Sequence, residues 1–205
     1  MILETICVGP MQVNCYVLAN AKGSKAIIID PGAEVRKIKQ VLDKYGLTPE
    51  FVVNTHGHYD HIGSDDKFGV PVYIHKDDVC FLKDANLNLS GLFSVPYQVD
   101  AKIIELEDGE SIGIEDIKLK VMHIPGHTPG GIALIMQKPS NKIVFTGDAL
   151  FCQGIGRSDL AGGNAEELIK FIREKLLTLA DETVIYPGHG PSSTIGQEKV
   201  SNPYL

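Results

Sequence analysis

The chain has no long apolar run, no block of basic residues, no paired cysteines and no internal repeat, and each absence narrows what it does. No stretch of the 205 residues approaches the roughly 20 apolar residues of a membrane-spanning helix, so a membrane partner is not expected. Nineteen Lys and Arg against 26 Asp and Glu give a formal net charge of -7. With no cationic cluster, a nucleic-acid partner is not expected either. Cys7, Cys15, Cys80 and Cys152 form no CxxC pair and read as buried, reduced thiols, which fits a reducing cytoplasm. The opening MILETICVGP has no basic segment followed by a long apolar core; it reads as a first strand rather than an export signal. There is also no GxSxG, so the elbow of a serine hydrolase is not present.

What is there fits a globular α/β chain. Hydrophobic residues make up 43% and charged residues 22%, and the length suits one domain spanning 1–205. ILETICVG, VNCYVLA and KAIIID read as strands. Residues 34–45 set Val35, Ile38, Val41, Leu42 and Tyr45 on one helical face, which Gly46 closes. FVVNT is a strand. A second strand-rich stretch holds KIIEL, IKLKVMHI, GIALIMQ and NKIVFTG, followed by a helix over 165–179 with Asn164 as N-cap, a strand TVIYPG and a short helix at 194–200. Two strand-plus-helix halves are thus expected to meet around one site. Residues 84–100 show no period, and a loop that long in a compact domain is either functional or a mobile surface loop.

The chemistry concentrates in NTHGHYDHIG, residues 54–63. His56, His58 and Asp60 are two apart and share one side of an extended chain; His61 breaks that period, so a turn is expected between Asp60 and His61. Gly57 and Gly63 ease close packing and turning there. The spacing divides the ligands into two groups, which suits two ions better than one. Further candidates stand at strand ends beside glycine: His127 in HIPGHTPGG, Asp148 in FTGD and His189 in YPGHG. Five His and two Asp suit two divalent ions with one bridging carboxylate. Donors of this kind without thiolate favour zinc, and iron or manganese accept them too. Such a pair activates a shared water for attack on a carbonyl or phosphorus, with Asp60 placed to orient it and take its proton. His75 reads as a strand end starting a helix, His123 as structural or as support behind a ligand, and Asp30 either as a residue that orients a ligand or as a simple turn at a strand end.

THGHYDH, GHTPG, FTGD and PGHG, in this order, resemble the metallo-β-lactamase superfamily, and the likeness runs from GPMQVNCYVL to TIGQEKVSNPYL. The resemblance implies an α/β fold, a four-layer αβ/βα sandwich with metals at the edge of two sheets. It implies one ion on His56, His58 and His127, the other on Asp60, His61 and His189, and Asp148 as bridge. GDALFCQGIGRSDLAGGN and the C-terminal stretch look most like glyoxalase II-like hydrolases, which cleave hydroxyacyl thioesters such as S-lactoylglutathione. The implied partner is then a small-molecule substrate. The chain ends about 16 residues after His189, so the C-terminal helical domain with which longer members hold glutathione is not expected. Arg157 matches their basic residue and would bind a substrate carboxylate, whereas Asp159 and Pro191 stand where they carry an aromatic and a tyrosine. Two alternatives remain open: a persulfide dioxygenase with one iron on His56, His127 and Asp148, and a non-catalytic metal-binding module.

Overall fold

A computed structural model describes residues 1–140 and 142–205. In chain order the elements are β1 (Ile2–Val8), β2 (Val13–Ala19), β3 (Lys25–Ile29), α1 (Val35–Tyr45), β4 (Thr48–Val53), α2 (Tyr59–Ile62), β5 (Val72–His75) and β6 (Ile103–Leu106). The second half holds β7 (Ser111–Ile114), β8 (Ile117–His123), β9 (Ile132–Lys138), β10 (Ile143–Gly147), the hairpin β11 (Leu150–Phe151) and β12 (Gly154–Ile155), α3 (Ala165–Glu174), β13 (Val184–Pro187), β14 (Ser193–Thr194) and α4 (Ile195–Ser201). One six-stranded sheet runs β1-β2-β3-β4-β5-β6, the other β14-β13-β10-β9-β8-β7. Antiparallel pairs open each half, and β3-β4-β5-β6 and β10-β13 are parallel. Asn141, which opens the expected strand NKIVFTG, lies outside the described residues.

Alternation along the strands builds the layers. In β2 and β3, Tyr16, Leu18, Ile27 and Ile29 face the second sheet, meeting Leu119, Val121, Leu134, Met136 and Phe145. Their neighbours Cys15, Val17, Ala26 and Ile28 face outward, under Ile38 and Leu42 of α1. On the far side Leu168 and Ile172 of α3 cover Ala133, Val144 and Ile185. The result is helix, sheet, sheet, helix. Both sheets are covered on both faces, which is why their central strands read as continuous apolar runs. Truncating Ile38 to Ala would cost about 2–5 kcal/mol.

Local signals set the helix ends. Gly46 takes a left-handed φ of 65°, its N–H bonds Asp43 O at 3.1 Å, and Leu47 N bonds Leu42 O at 2.8 Å, so the last turn of α1 closes on itself. Asn164 accepts from Glu167 N at 3.1 Å and starts α3. The helix expected over 165–179 is shorter: α3 stops at Glu174, and Leu176–Thr178 tighten into a 3-10 turn that carries Leu176 into the outer apolar layer. The cysteines are free, but only Cys15 is buried. Cys7 is exposed because it stands on the face of edge strand β1 opposite the buried Ile6 and Val8, and Cys80 is exposed on the short 3-10 segment after β5.

Candidate metal centre

Every candidate ligand stands in a crevice beyond the C-terminal end of a strand, and all but His127 follow a strand with a parallel neighbour. The loop after β4 carries His56 and His58, α2 carries Asp60 and His61, and the β8–β9 loop carries His127. Asp148 follows β10 directly, and His189 follows β13 after one glycine. Cross-links fix these loops to one another. Gly188 N bonds Gly147 O at 2.8 Å, Ile132 N bonds Thr55 O at 2.8 Å, and Asn14 Nδ2 holds Pro187 O and Gly190 O at 3.0 and 2.9 Å. Gly188 cannot be replaced without rearrangement: a Cβ there would lie 2.1 Å from Asp148 Oδ1 and 2.7 Å from His61 Cε1.

The first donor set is a triangle of ring nitrogens. His56 Nε2 and His58 Nδ1 are 3.1 Å apart, His58 Nδ1 and His127 Nε2 2.9 Å, and His127 Nε2 and His56 Nε2 3.3 Å. The rings meet edge-on, at interplanar angles of 77–89°. Tetrahedral ligation at a zinc-to-nitrogen distance of about 2.0–2.1 Å spaces nitrogens about 3.3–3.4 Å apart, so the triangle closes around a cation with little movement. Burial is the leading influence on His56 and His58 and pushes both toward the neutral form that donates a lone pair, His58 down to about 3.

The second set adds carboxylates. Asp60 Oδ2 lies 3.3 Å from His189 Nε2 and 3.9 Å from His61 Nε2. Asp148 reaches both sets, with Oδ2 3.6 Å from His127 Nε2 and 3.5 Å from His189 Nε2, and Oδ1 3.3 Å from His61 Nε2. His61 Nε2 and Asp148 Oδ1 are shut off from solvent and neither makes a hydrogen bond. A divalent ion between them satisfies both, and the residues present therefore fit a two-ion centre. Burial works against charge on His61 and His189, but Asp148 leads the opposing influences on each, lifting His61 well above the ordinary range and His189 to about 9. Burial likewise disfavours the Asp60 carboxylate, and the neighbouring His61 and His189 outweigh it and hold its pKa low.

A ring of outer contacts aims the ligands. His127 Nδ1 donates to Arg157 O at 2.6 Å, and His189 Nδ1 to Met11 O at 3.0 Å, which turns each Nε2 inward. Asp30 Oδ2 approaches His61 Nδ1 to 3.0 Å, off the ring N–H axis, and Asp30 also accepts from Thr55 N and Oγ1 at 2.7 Å. Asp78 went unnoticed in the sequence. It accepts from Gly57 N at 2.9 Å, Thr128 Oγ1 at 2.7 Å and Gly130 N at 2.6 Å, and so clamps the His56–His58 loop to the His127 loop. Its partners lie 21 to 52 residues away, and HKDD reads as any solvated turn.

The structure moves the expected turn. His58 is extended (φ −71°, ψ 147°) and caps α2, so the chain bends after His58, and Asp60 and His61 follow one another on a single helical turn. Helical spacing rather than a bend after Asp60 brings His61 inward. Gly57 serves close approach, since a Cβ would sit 2.4 Å from Phe81 Cβ, and a Cβ at Gly63 would likewise sit 2.3 Å from Gly32 O. His75 ends β5 and caps the segment that follows, and His123 stacks on it. Arg157 lies at the cleft rim, its guanidinium paired with Asp159 at 2.7 and 2.8 Å. The 84–100 loop contributes Asn88, Leu89, Leu92 and Phe93 to the same cleft.

The model of the metallo-beta-lactamase superfamily matches residues 8–189, and the chain belongs to that superfamily. More particularly, it is similar to hydroxyacylglutathione hydrolase GloC of Haemophilus influenzae, 38% identical over 212 residues that cover 100% of this chain and 98% of the relative. Among solved structures it resembles the BLEG-1 B3 metallo-beta-lactamase at 39% identity and a TM-score of 0.92, covering 100% of this chain and 99% of the other. It also resembles TTHA1623, solved in a di-iron-bound form, at 33% identity and a TM-score of 0.85, covering 98% and 100%. The four-layer architecture expected from the motifs is the one these neighbours share. No helix among the described residues is long and apolar enough to cross a membrane.

Proposed function

We propose that this metallo-hydrolase is a thioesterase acting on hydroxyacyl thioesters, S-lactoylglutathione or a close analogue, with Asp60 as its catalytic carboxylate. The observation that carries the reading is Asp148, placed between two complete donor sets. Divalent ions held by His56, His58 and His127 and by Asp60, His61 and His189, with Asp148 reaching both, would supply Lewis-acid activation of a water and charge compensation for the developing oxyanion. Asp60 lines the cleft and stays ionised at neutral pH, so its carboxylate orients the attacking water and accepts its proton. His127, held through Nδ1 by Arg157 O, keeps its place as the substrate enters. The leaving thiolate, with a pKa of about 8.5, departs without a dedicated acid. Arg157, which lines the cleft, receives a substrate carboxylate by exchanging it for Asp159, an exposed partner that is cheap to release. Imidazole and carboxylate donors favour zinc, and the di-iron neighbour keeps iron within the same chemistry.

The test joins elemental analysis of native protein to an assay on S-lactoylglutathione and a small panel of other thioesters. Two divalent ions per chain and thioester cleavage are expected. One iron per chain with oxygen uptake on persulfides would instead establish the dioxygenase, and full occupancy with no turnover a binding module.

A further inference from the structure

The metal cleft, about 400 Å³, opens beside a second cavity of about 260 Å³. The two share Met11, Tyr59, Asp60 and Phe93, so a molecule seated at the metal ligands extends directly into the second space. That space is bounded by Val8, Pro10, Met11, Ala33, Phe93 and Val95, and Asp60 is the one charged residue among its described lining residues. Apolar exposure concentrates at the same place. Met11 (47%), Leu92 (77%), Phe93 (53%) and Val95 (50%) are four of the seven large apolar side chains left exposed among the described residues, and all four line one or both cavities. Such clustering around a cleft marks a surface that a ligand covers.

The rim is built to hold this face outward. Asn88 is buried: its Nδ2 donates to Phe81 O at 2.8 Å and Tyr97 O at 3.0 Å, and its carbonyl accepts from Tyr59 N at 2.8 Å, tying the loop to α2. Leu89 and Ser94 flank the apolar turn at left-handed φ values of 70° and 57°, a conformation non-glycine residues adopt only at a cost of about 1–3 kcal/mol. Arg157, the one Arg or Lys among the described residues of either lining, is already paired with Asp159. Glutathione presents two carboxylates, and apart from the metal centre the two linings offer them only this shared guanidinium.

We propose that the second cavity receives an apolar hydrocarbon arm of the thioester, and that the chain selects substrates by apolar bulk beside the thioester bond rather than by the charges of glutathione. This rests on the thioesterase reading of the cleft and, among the analogues of S-lactoylglutathione, favours those in which an apolar arm takes the place of glutathione's charges. Two series on metal-loaded protein test it. In one the thiol is N-acetylcysteamine and the acyl chain grows from acetyl to octanoyl; in the other the acyl group is lactoyl and the thiol runs from N-acetylcysteamine through alkyl thiols to glutathione. The value of kcat/KM rises about fourfold per methylene in one series, which identifies the arm, until the cavity is filled. Val95→Asp flattens that slope and Val95→Leu retains it. Uncleavable alkyl thioethers of N-acetylcysteamine, titrated by calorimetry, tighten by a similar factor per methylene. Flat slopes with the glutathione ester as best substrate, or thioethers that bind no tighter as they lengthen, overturn the proposal. Cleavage of no thioester overturns the catalytic reading, and the thioether titration then still decides whether the cavity takes an apolar chain.

Discussion

Two groups of histidines in this protein make opposite use of the same side chain. At the metal centre, His56, His58 and His127 meet edge-on with one nitrogen from each within 2.9–3.3 Å of the others. Outside it, His75 and His123 lie face to face, centroids 4.0 Å apart and planes 15° from parallel. Asp77 stands near enough that all three could be counted as a ligand group. The stacked pair nevertheless directs its in-plane lone pairs side by side, and one nitrogen of each ring is engaged: His123 Nε2 donates to Pro129 O at 2.8 Å, and His75 Nδ1 accepts from Asp77 N at 3.4 Å. Proximity of histidines therefore does not define a metal site. What marks it is convergence of one nitrogen from each ring on a common point, with His127 held from behind through Nδ1.

Breaking the converging group should have the largest effect. Asp148→Ala removes the carboxylate common to both donor sets; elemental analysis should show fewer than two ions per chain, and hydrolysis should fall on the order of 10³-fold. An intact ion count in that variant would show that Asp148 does not connect the sets. Loosening the frame should cost less. Asp78→Ala frees the His56–His58 loop from the His127 loop, and competition with a chromophoric chelator should show divalent-ion affinity lowered about 10–100-fold, with Asp78→Asn between the two.

The smallest effect tests the stacked pair. His75→Gln should leave the ion count unchanged and hydrolysis within about twofold, since His75 belongs to neither donor set and Gln can still accept at the cap. Its signature is in stability. Burial first, then His123, depresses the His75 pKa to about 4. The unfolded chain therefore binds a proton that the folded chain refuses between pH 6.5 and about 4. His75 contributes stability in full above pH 6.5, and that contribution is lost as pH falls toward 4, by up to roughly 2–3 kcal/mol. Urea unfolding of wild type and His75→Gln across this range should show the wild type losing more stability on acidification. Parallel curves would place the His75 pKa near its ordinary value.

Much of this was legible in the sequence because its signals are local. A cluster of histidines within six positions and single ligands after Ile- and Val-rich strands require only short-range spacing to be noticed. The layered fold came through the resemblance of the motifs rather than through periodicity, because strands covered on both faces show little alternation. Non-local features stayed hidden. Asp78 bonds to residues up to 52 positions away, and the apolar cavity is assembled from residues 8–11, 32–33, 59–60, 93 and 95. The turn at His58 was misplaced because a two-residue period between His56, His58 and Asp60 mimics an extended chain even where the third member has entered a helix.

Arg157 is used twice, and the two uses are separable. Its carbonyl steadies His127 while its guanidinium stands at the mouth of the cleft beside Asp159. Every amino acid supplies a carbonyl. The side chain at this position is consequently open to drift: one substitution can alter the charge that greets an incoming molecule while the support of the metal ligand persists. The charge at the cleft mouth and the support of His127 thus rest on different atoms of one residue, so that either can be changed without the other.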